Sequence, residues 1–207
     1  MMSPLEKRIL TRIGSGCIAS HFGNRTEKKI MELSVGQKVA YPNQGVCLVE
    51  DIERKKIGES LMKFYALRVL GDNSIIFVPT ANAASVGIRP IICAKDYRRL
   101  VSRLAADFEE ISSDWKVRSR EFGGKLQSGD VFEAADVLKK LTFLSHEKKL
   151  SLREQLYLDK AKYLVVSEVI NAGWAKEQHF ETKMNQLVAN ACDKHLVTQP
   201  KVMEANH

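Results

Sequence analysis

The hydrophobic pattern of this chain changes period once, close to Pro90, and that switch limits the folds open to it. Before it, short apolar runs are parted by turn signals. "VGQKVAYP" enters "NQG", "VCLVEDIE" follows, "MKFYALRVL" is closed by "GDN", and "SIIFVP" ends the series. Runs of this length between tight turns predict β-strands, and several so close together predict a small barrel rather than a parallel sheet. Pro79 lacks an N–H to donate to a ladder, so its strand should end at an edge or leave the sheet there.

After Pro90 the apolar spacing becomes helical. "AKDYRRLVSRLAADF" sets Tyr97, Leu100, Val101, Leu104 and Phe108 on one face. A second helix starts near Asp114 and runs towards Gly129. "DVFEAADVLKKLTFL" opens with Asp130 and Glu133 and aligns Val131, Ala134, Ala135, Leu138 and Leu141. Ser151 and Glu154 form an S-x-x-E capping box for a helix striped by Leu152, Leu156, Leu158, Ala161, Leu164, Val165 and Val169 and stopped at Gly173. A last amphipathic stretch covers 174–191. The expected class is α+β, a small N-terminal barrel followed by an all-helical domain of about five helices. Residues 1–30, without sustained periodicity, read as a flexible tail, 31–90 as the barrel, 91–191 as the helical domain and 192–207 as a C-terminal tail.

Composition narrows the chemistry. The formal charge is +7, and residues 1–30 hold +4 of it through Lys7, Arg8, Arg12, Arg25, Lys28 and Lys29 against Glu6 and Glu27. Such a mildly basic chain is compatible with a nucleic-acid partner without requiring one. Cys17, Cys47, Cys93 and Cys192 form no C-x-x-C pair and the five histidines are scattered, so no zinc spacing exists and free thiols are expected. No apolar run approaches the roughly 20 residues of a membrane span, and no secretory leader is evident, which predicts a cytoplasmic protein; a monomer is expected. There is no Gly-rich phosphate loop, nucleophile elbow or paired histidine at helical spacing. The expectation is a non-enzyme with no catalytic residue, metal or cofactor.

Three features remain as candidate sites. Tyr41, Phe64, Tyr65 and Phe77 could cage a methylated cation, or could simply alternate through a barrel core. Ile75–Ile76–Phe77–Val78–Pro79 could offer an exposed strand edge to a partner. In "SSDWKVRSREFGGKL", Ser112, Ser113 and Asp114 read as a helix start and Trp115 follows at once. Arg118 and Phe122 share its helical face, while Lys116 and Arg120 repel one another at i, i+4 unless an anion lies over them. From the pattern alone, Trp115 is either a core anchor or a contact residue.

Residues 31–190 resemble the CarD/CdnL family of bacterial transcription regulators. The likeness is carried by "VGQKVAYPNQGVCLVEDIE", "VPTANAASVGIR", "SDWKVRSRE" and "GDVFEAADVLKKL" followed by "LSLREQLYLDKAKYLVVSEV". The first of these is shared with the polymerase-interacting module of transcription-repair coupling helicases. The resemblance implies a Tudor/SH3-like barrel that binds the β subunit of bacterial RNA polymerase, and a helical domain that touches promoter DNA at the upstream edge of the bubble. It implies that Trp115 wedges into the minor groove at the opened junction, with Lys116, Arg118, Arg120 and Lys125 as DNA-facing cations. On the barrel it points to Lys55, Phe77 and Pro79 as the polymerase edge. Val117 stands where many relatives have arginine, Phe77 where they have arginine or methionine, and Gly123–Gly124 fall in what is usually continuous helix. The expected activity is stabilisation of the open promoter complex. A protein-only interaction module and a polymerase-binding module related to repair helicases stay open as alternatives.

Overall fold

Val39, Cys47, Val49, Tyr65, Leu67, Val69 and Val78 point to one side of consecutive antiparallel strands, and burying that side is what assembles the N-terminal sheet. The computed structural model describes residues 32–198. Its strands are β1 (Lys38–Tyr41), β2 (Gly45–Ile57), β3 (Ser60–Val69), β4 (Ile75–Pro79) and β5 (Arg89–Pro90), in the order β4-β3-β2-β1-β5. The small all-antiparallel unit is as the sequence predicts, but the sheet is not closed: β4 and β5 each have a single neighbour. A register shift between Val49 and Asp51 leaves Glu50 as a bulge, which re-aims the outer half of β2. The proposed tail at 1–30, with Cys17, lies outside the described residues.

Five helices follow, α1 (Ala94–Ala105), α2 (Trp115–Gln127), α3 (Val131–Glu147), α4 (Leu152–Asn171) and α5 (Glu177–Thr198). Their starts are chemically marked. The carboxylates of Asp114 and Asp130 accept from the N–H of Lys116 and Phe132, and Ser151 with Glu154 forms the complete reciprocal box. The core joins Leu100 and Leu104 of α1 to Phe122 and Leu126 of α2. It continues through Leu138 and Leu141 of α3, Val165 and Val169 of α4, and Phe180 and Met184 of α5. Two expectations change. The stripe on α4 does not begin at its first residue, since Leu152 and Leu156 are 80% and 60% exposed. α5 continues to Thr198, beyond the expected end at 191, and buries Cys192 and His195.

α4 joins the sheet to the helices. Arg89 of β5 forks onto Glu168 at 2.5 and 2.8 Å and donates to the Gly129 carbonyl at 2.9 Å, while the Ile92 N–H also donates to Glu168. Lys38 reaches the Asn171 carbonyl at 3.1 Å. Tyr163 lies so close to the β1–β2 turn and to the chain after β3 that a Cβ on Gly71 would sit 2.1 Å from its hydroxyl. Gly45 faces the same ring and holds φ +89, so it has two reasons to be glycine. No described helix is long and apolar enough to cross a membrane.

Candidate nucleic-acid and protein interfaces

The α2 cap decides where Trp115 goes. Asp114 holds the Lys116 N–H at 2.8 Å, which makes Trp115 the first helical residue. Side chains in a helix lean towards its N-terminus, so a side chain at the first position overhangs the helix end. The indole is 60% exposed, with the Lys116 ammonium 5.8 Å from its centroid. Lys116 and Arg120 are both exposed one turn apart, and Val117 between them is 47% exposed. An aromatic plate and the Lys116 cation thus stand together at the positive end of a helix dipole, with Arg120 one turn on from Lys116.

Arg118 does not belong to that surface, and the expectation that it faces DNA is corrected. It is 4% exposed, donates to Glu154 at 3.0 Å, and donates to the carbonyls of Ser112 and Ser113 at 2.8 and 2.7 Å. One guanidinium therefore spends four of its five N–H donors within the fold, tying the segment that enters α2 to the first turn of α4, and its burial keeps it from a phosphate. Burial works to raise the Glu154 carboxyl. The Ser151 backbone and hydroxyl, then Arg118 and Lys148, outweigh burial and hold it below the ordinary glutamate value. Lys125 is also placed elsewhere. It is half-buried and pairs with Glu121 at 3.2 Å, which in turn pairs with the buried Lys140 of α3. Gly123 and Gly124 do not break α2. A Cβ at Gly123 would meet the Tyr157 hydroxyl at 3.0 Å, so the glycine admits close approach of α4.

The structure adds cations the sequence pattern did not single out. Lys148, Lys149 and Arg153 are exposed at the α3–α4 connection. Lys148 lies 3.8 Å from Glu154, on the same carboxylate oxygen that Arg118 bonds, which sets this connection beside the segment leading to Trp115. The run "HEKKLSLRE" carried the charge in plain view. Its adjacency to Trp115 depends on a contact across 36 residues.

On the sheet, Lys55, Phe77 and Pro79 come together. Phe64 is paired with Glu53 on one side and Pro79 on the other, and Ala66 with Asp51 and Phe77, so these residues share the outer face. The Lys55 ammonium sits 3.1 Å from the Phe77 ring centroid and pairs with Glu53 at 3.0 Å. Phe77 is 44% and Ile75 48% exposed, and among the described residues no strand pairs with the outer side of β4. No aromatic cage forms, because Tyr65 points into the core while Phe64 and Phe77 point out. Cys47 is a buried strand residue whose thiol burial, with Asp72 adding to it, pushes up to about 11. Among the described residues, no group of three or more His, Cys, Asp or Glu side chains could hold a metal.

Comparison with known proteins assigns both halves. Residues 33–92 match the CarD-like/TRCF RID domain, and residues 99–185 match the CarD C-terminal domain. The chain belongs to the CarD family of transcription regulators. A Bacillus subtilis (strain 168) protein of this kind, YdeB, described as a candidate transcription factor, is 27% identical over 135 residues, covering 65% of this chain and 88% of the relative. The 72-residue N-terminal domain of Myxococcus xanthus CarD, solved by solution NMR, is 32% identical; the match covers 35% of this chain and 93% of that domain, with a TM-score of 0.26. In this CarD-family chain the two candidate interfaces fall one in each matched domain: Lys55, Phe77 and Pro79 in the first, and Trp115, Lys116 and Arg120 in the second.

Proposed function

We propose that this CarD-family protein is a non-enzymatic regulator of transcription initiation, working in the cytoplasm at the nucleoid. The sheet binds the β subunit of bacterial RNA polymerase through β4, and the helical domain stabilises the open promoter complex at the upstream fork. The two act as separate units, 31–90 and 91–191, joined at α4. The observation that carries this reading is Trp115, a large aromatic ring standing free at a capped helix start. An exposed indole is costly in a chain with no use for it, and at a DNA fork it would stack on a base that has lost its neighbour. Lys116 and Arg120, with Lys148 and Lys149 nearby, would neutralise phosphates without reading sequence. On the sheet, an incoming strand would pair with the free β4 backbone, while Phe77 and Lys55 supply an apolar and a cationic side-chain contact.

The test is the decay of open complexes on one promoter, with the β subunit present. Stacking on an unpaired base is worth about 1–3 kcal/mol, so Trp115→Ala should shorten the lifetime about fivefold to a hundredfold. Lys116→Ala and Arg120→Ala should instead reduce the salt slope of DNA association by about one each. A folded Trp115→Ala protein that supports a wild-type lifetime removes the wedge. Loss of fork crosslinking with unchanged salt dependence in both lysine and arginine variants would favour a protein-only contact at this surface.

A further inference from the structure

The outer half of the β2–β3 hairpin carries a second surface. β1 pairs with β2 through Leu48, and β4 pairs with β3 only from Phe64 onward. Residues 52–57 and 60–63 therefore form a two-stranded ribbon with no third strand on either side among the described residues. On the ribbon face that continues from the core side, Arg54 stands directly opposite Lys63, and Lys56 opposite Leu61. All three cations are exposed, and none has an ion-pair partner among the described residues. The acids of the ribbon lie elsewhere: Glu53 is on the opposite face with Lys55, and Glu59 is at the turn. Like charges directly across a strand pair repel, and no acidic partner among the described residues offsets this. Exposed apolar residues flank the cations, Ile52 and Leu61 on their own face and Ile57 and Met62 on the other.

We propose that this ribbon docks an extended segment of a partner protein in which acidic and apolar residues alternate, adding as a strand to the free edge of β2 along residues 52–57. A strand added there turns every second side chain to the face of Arg54 and Lys56, where carboxylates satisfy cations that have no acidic partner among the described residues. The intervening side chains fall on the face of Glu53, Lys55 and Ile57, where Glu53 and Lys55 already pair with one another and an apolar group beside Ile57 covers exposed surface. The unpaired backbone along 52–57 supplies the ladder. A nucleic-acid backbone would meet the cations but leave both the strand edge and the four apolar side chains unused. The inference stands apart from the polymerase reading, because β4 lies on the other side of the hairpin.

The probe is a short fluorescein-labelled peptide of alternating Glu and Val, titrated into the full chain, with a Lys–Val peptide and a mixed-sequence DNA duplex as the other arms. Amide resonances of residues 52–57 should shift as the Glu–Val peptide saturates. Arg54→Glu and Lys56→Glu should each weaken it about tenfold, while Phe77→Asp leaves it unchanged. Arg54→Glu also turns a repulsive cross-strand pair into an attractive one, so this variant should melt no lower than wild type. Loss of binding in it is then not loss of fold. Failure of the Glu–Val peptide to bind, equal binding by the Lys–Val peptide, or equal binding to Arg54→Glu overturns the proposal. DNA binding that is lost in Arg54→Glu while the peptide is unaffected assigns the face to nucleic acid and overturns it too.

Discussion

Replacing Arg118 with alanine should damage the fold of the helical domain far more than replacing Trp115, although both residues lie on one helix three positions apart. The Arg118 side chain is 5% exposed and its Glu154 partner 12%, so solvent screens little of their attraction. Breaking a buried pair by removing one partner costs about 3–5 kcal/mol. The lower end applies, because Glu154 keeps the Ser151 N–H at 3.0 Å and the Ser151 hydroxyl at 2.8 Å, and water can reach the Ser113 carbonyl. For a chain of this size each kcal/mol moves the midpoint by about 2–4 °C, so about 3 kcal/mol predicts a drop of about 6–12 °C. A fully buried tryptophan would lose about 3–5 kcal/mol on truncation. Trp115 is 60% exposed, which limits its loss to about 1–2 kcal/mol and about 2–8 °C. Thermal melts followed by circular dichroism at 222 nm, in low and in high salt, measure both. The Arg118→Ala deficit should persist in high salt, as a buried pair requires and a phosphate-facing surface cation does not. An Arg118→Ala protein that melts with wild type, or a deficit that vanishes in salt, refutes the clamp.

The remaining expectations are briefer. Phe77→Asp and Lys55→Glu should each weaken binding to the polymerase β subunit while the melting curve holds, since a charge desolvated at a strand edge is costly and both side chains are on the surface; wild-type affinity in a pull-down would remove this edge from the interface. Iodoacetamide should label Cys93 well before Cys47 or Cys192 in the native protein, because burial pushes both of those thiols up to about 11; peptide mass spectrometry reads the order, and early labelling of Cys192 would mean that α5 frays through that turn. Acid should loosen the α2–α4 contact. Glu154 and Glu121 are held below the ordinary value of 4.5, Glu154 by Ser151, Arg118 and Lys148 and Glu121 by Lys140 and Lys125, each against a burial effect of opposite sign. A lowered folded value gives stability that is present above about 4.5 and lost as pH falls through the folded value, so the midpoint should decline below that pH and the decline should shrink in Glu154→Gln.

Period and punctuation revealed the class of fold because each half satisfies a local rule. Residues two apart along β2 and β3 share the core face, and Val131, Ala134, Ala135, Leu138 and Leu141 repeat at helical spacing, all of them buried. The DNA-facing role that the resemblance implied for Arg118 failed for a reason that the period does not carry. Its spacing puts it on the face of Trp115 and Phe122, and that face is indeed one stripe, but the stripe runs from solvent into the core within a single turn. Trp115 escapes burial by standing at the first helical position, and Arg118 tolerates burial through Glu154, 36 residues away. Neither the cap register nor that partner is visible to periodicity. Gly123 shows the converse. As local propensity it argues for a break, yet the close approach of Tyr157 gives it a place in a continuous helix. Glu168, which the stripe from Leu152 to Val169 leaves out, is 4% exposed and takes the Arg89 fork and the Ile92 N–H at the joint between sheet and helices. A buried charge is sustained only by complete pairing, and the pairing of Glu168 ties the two halves of the chain together, with partners at Arg89 and Ile92 that no period along α4 could show.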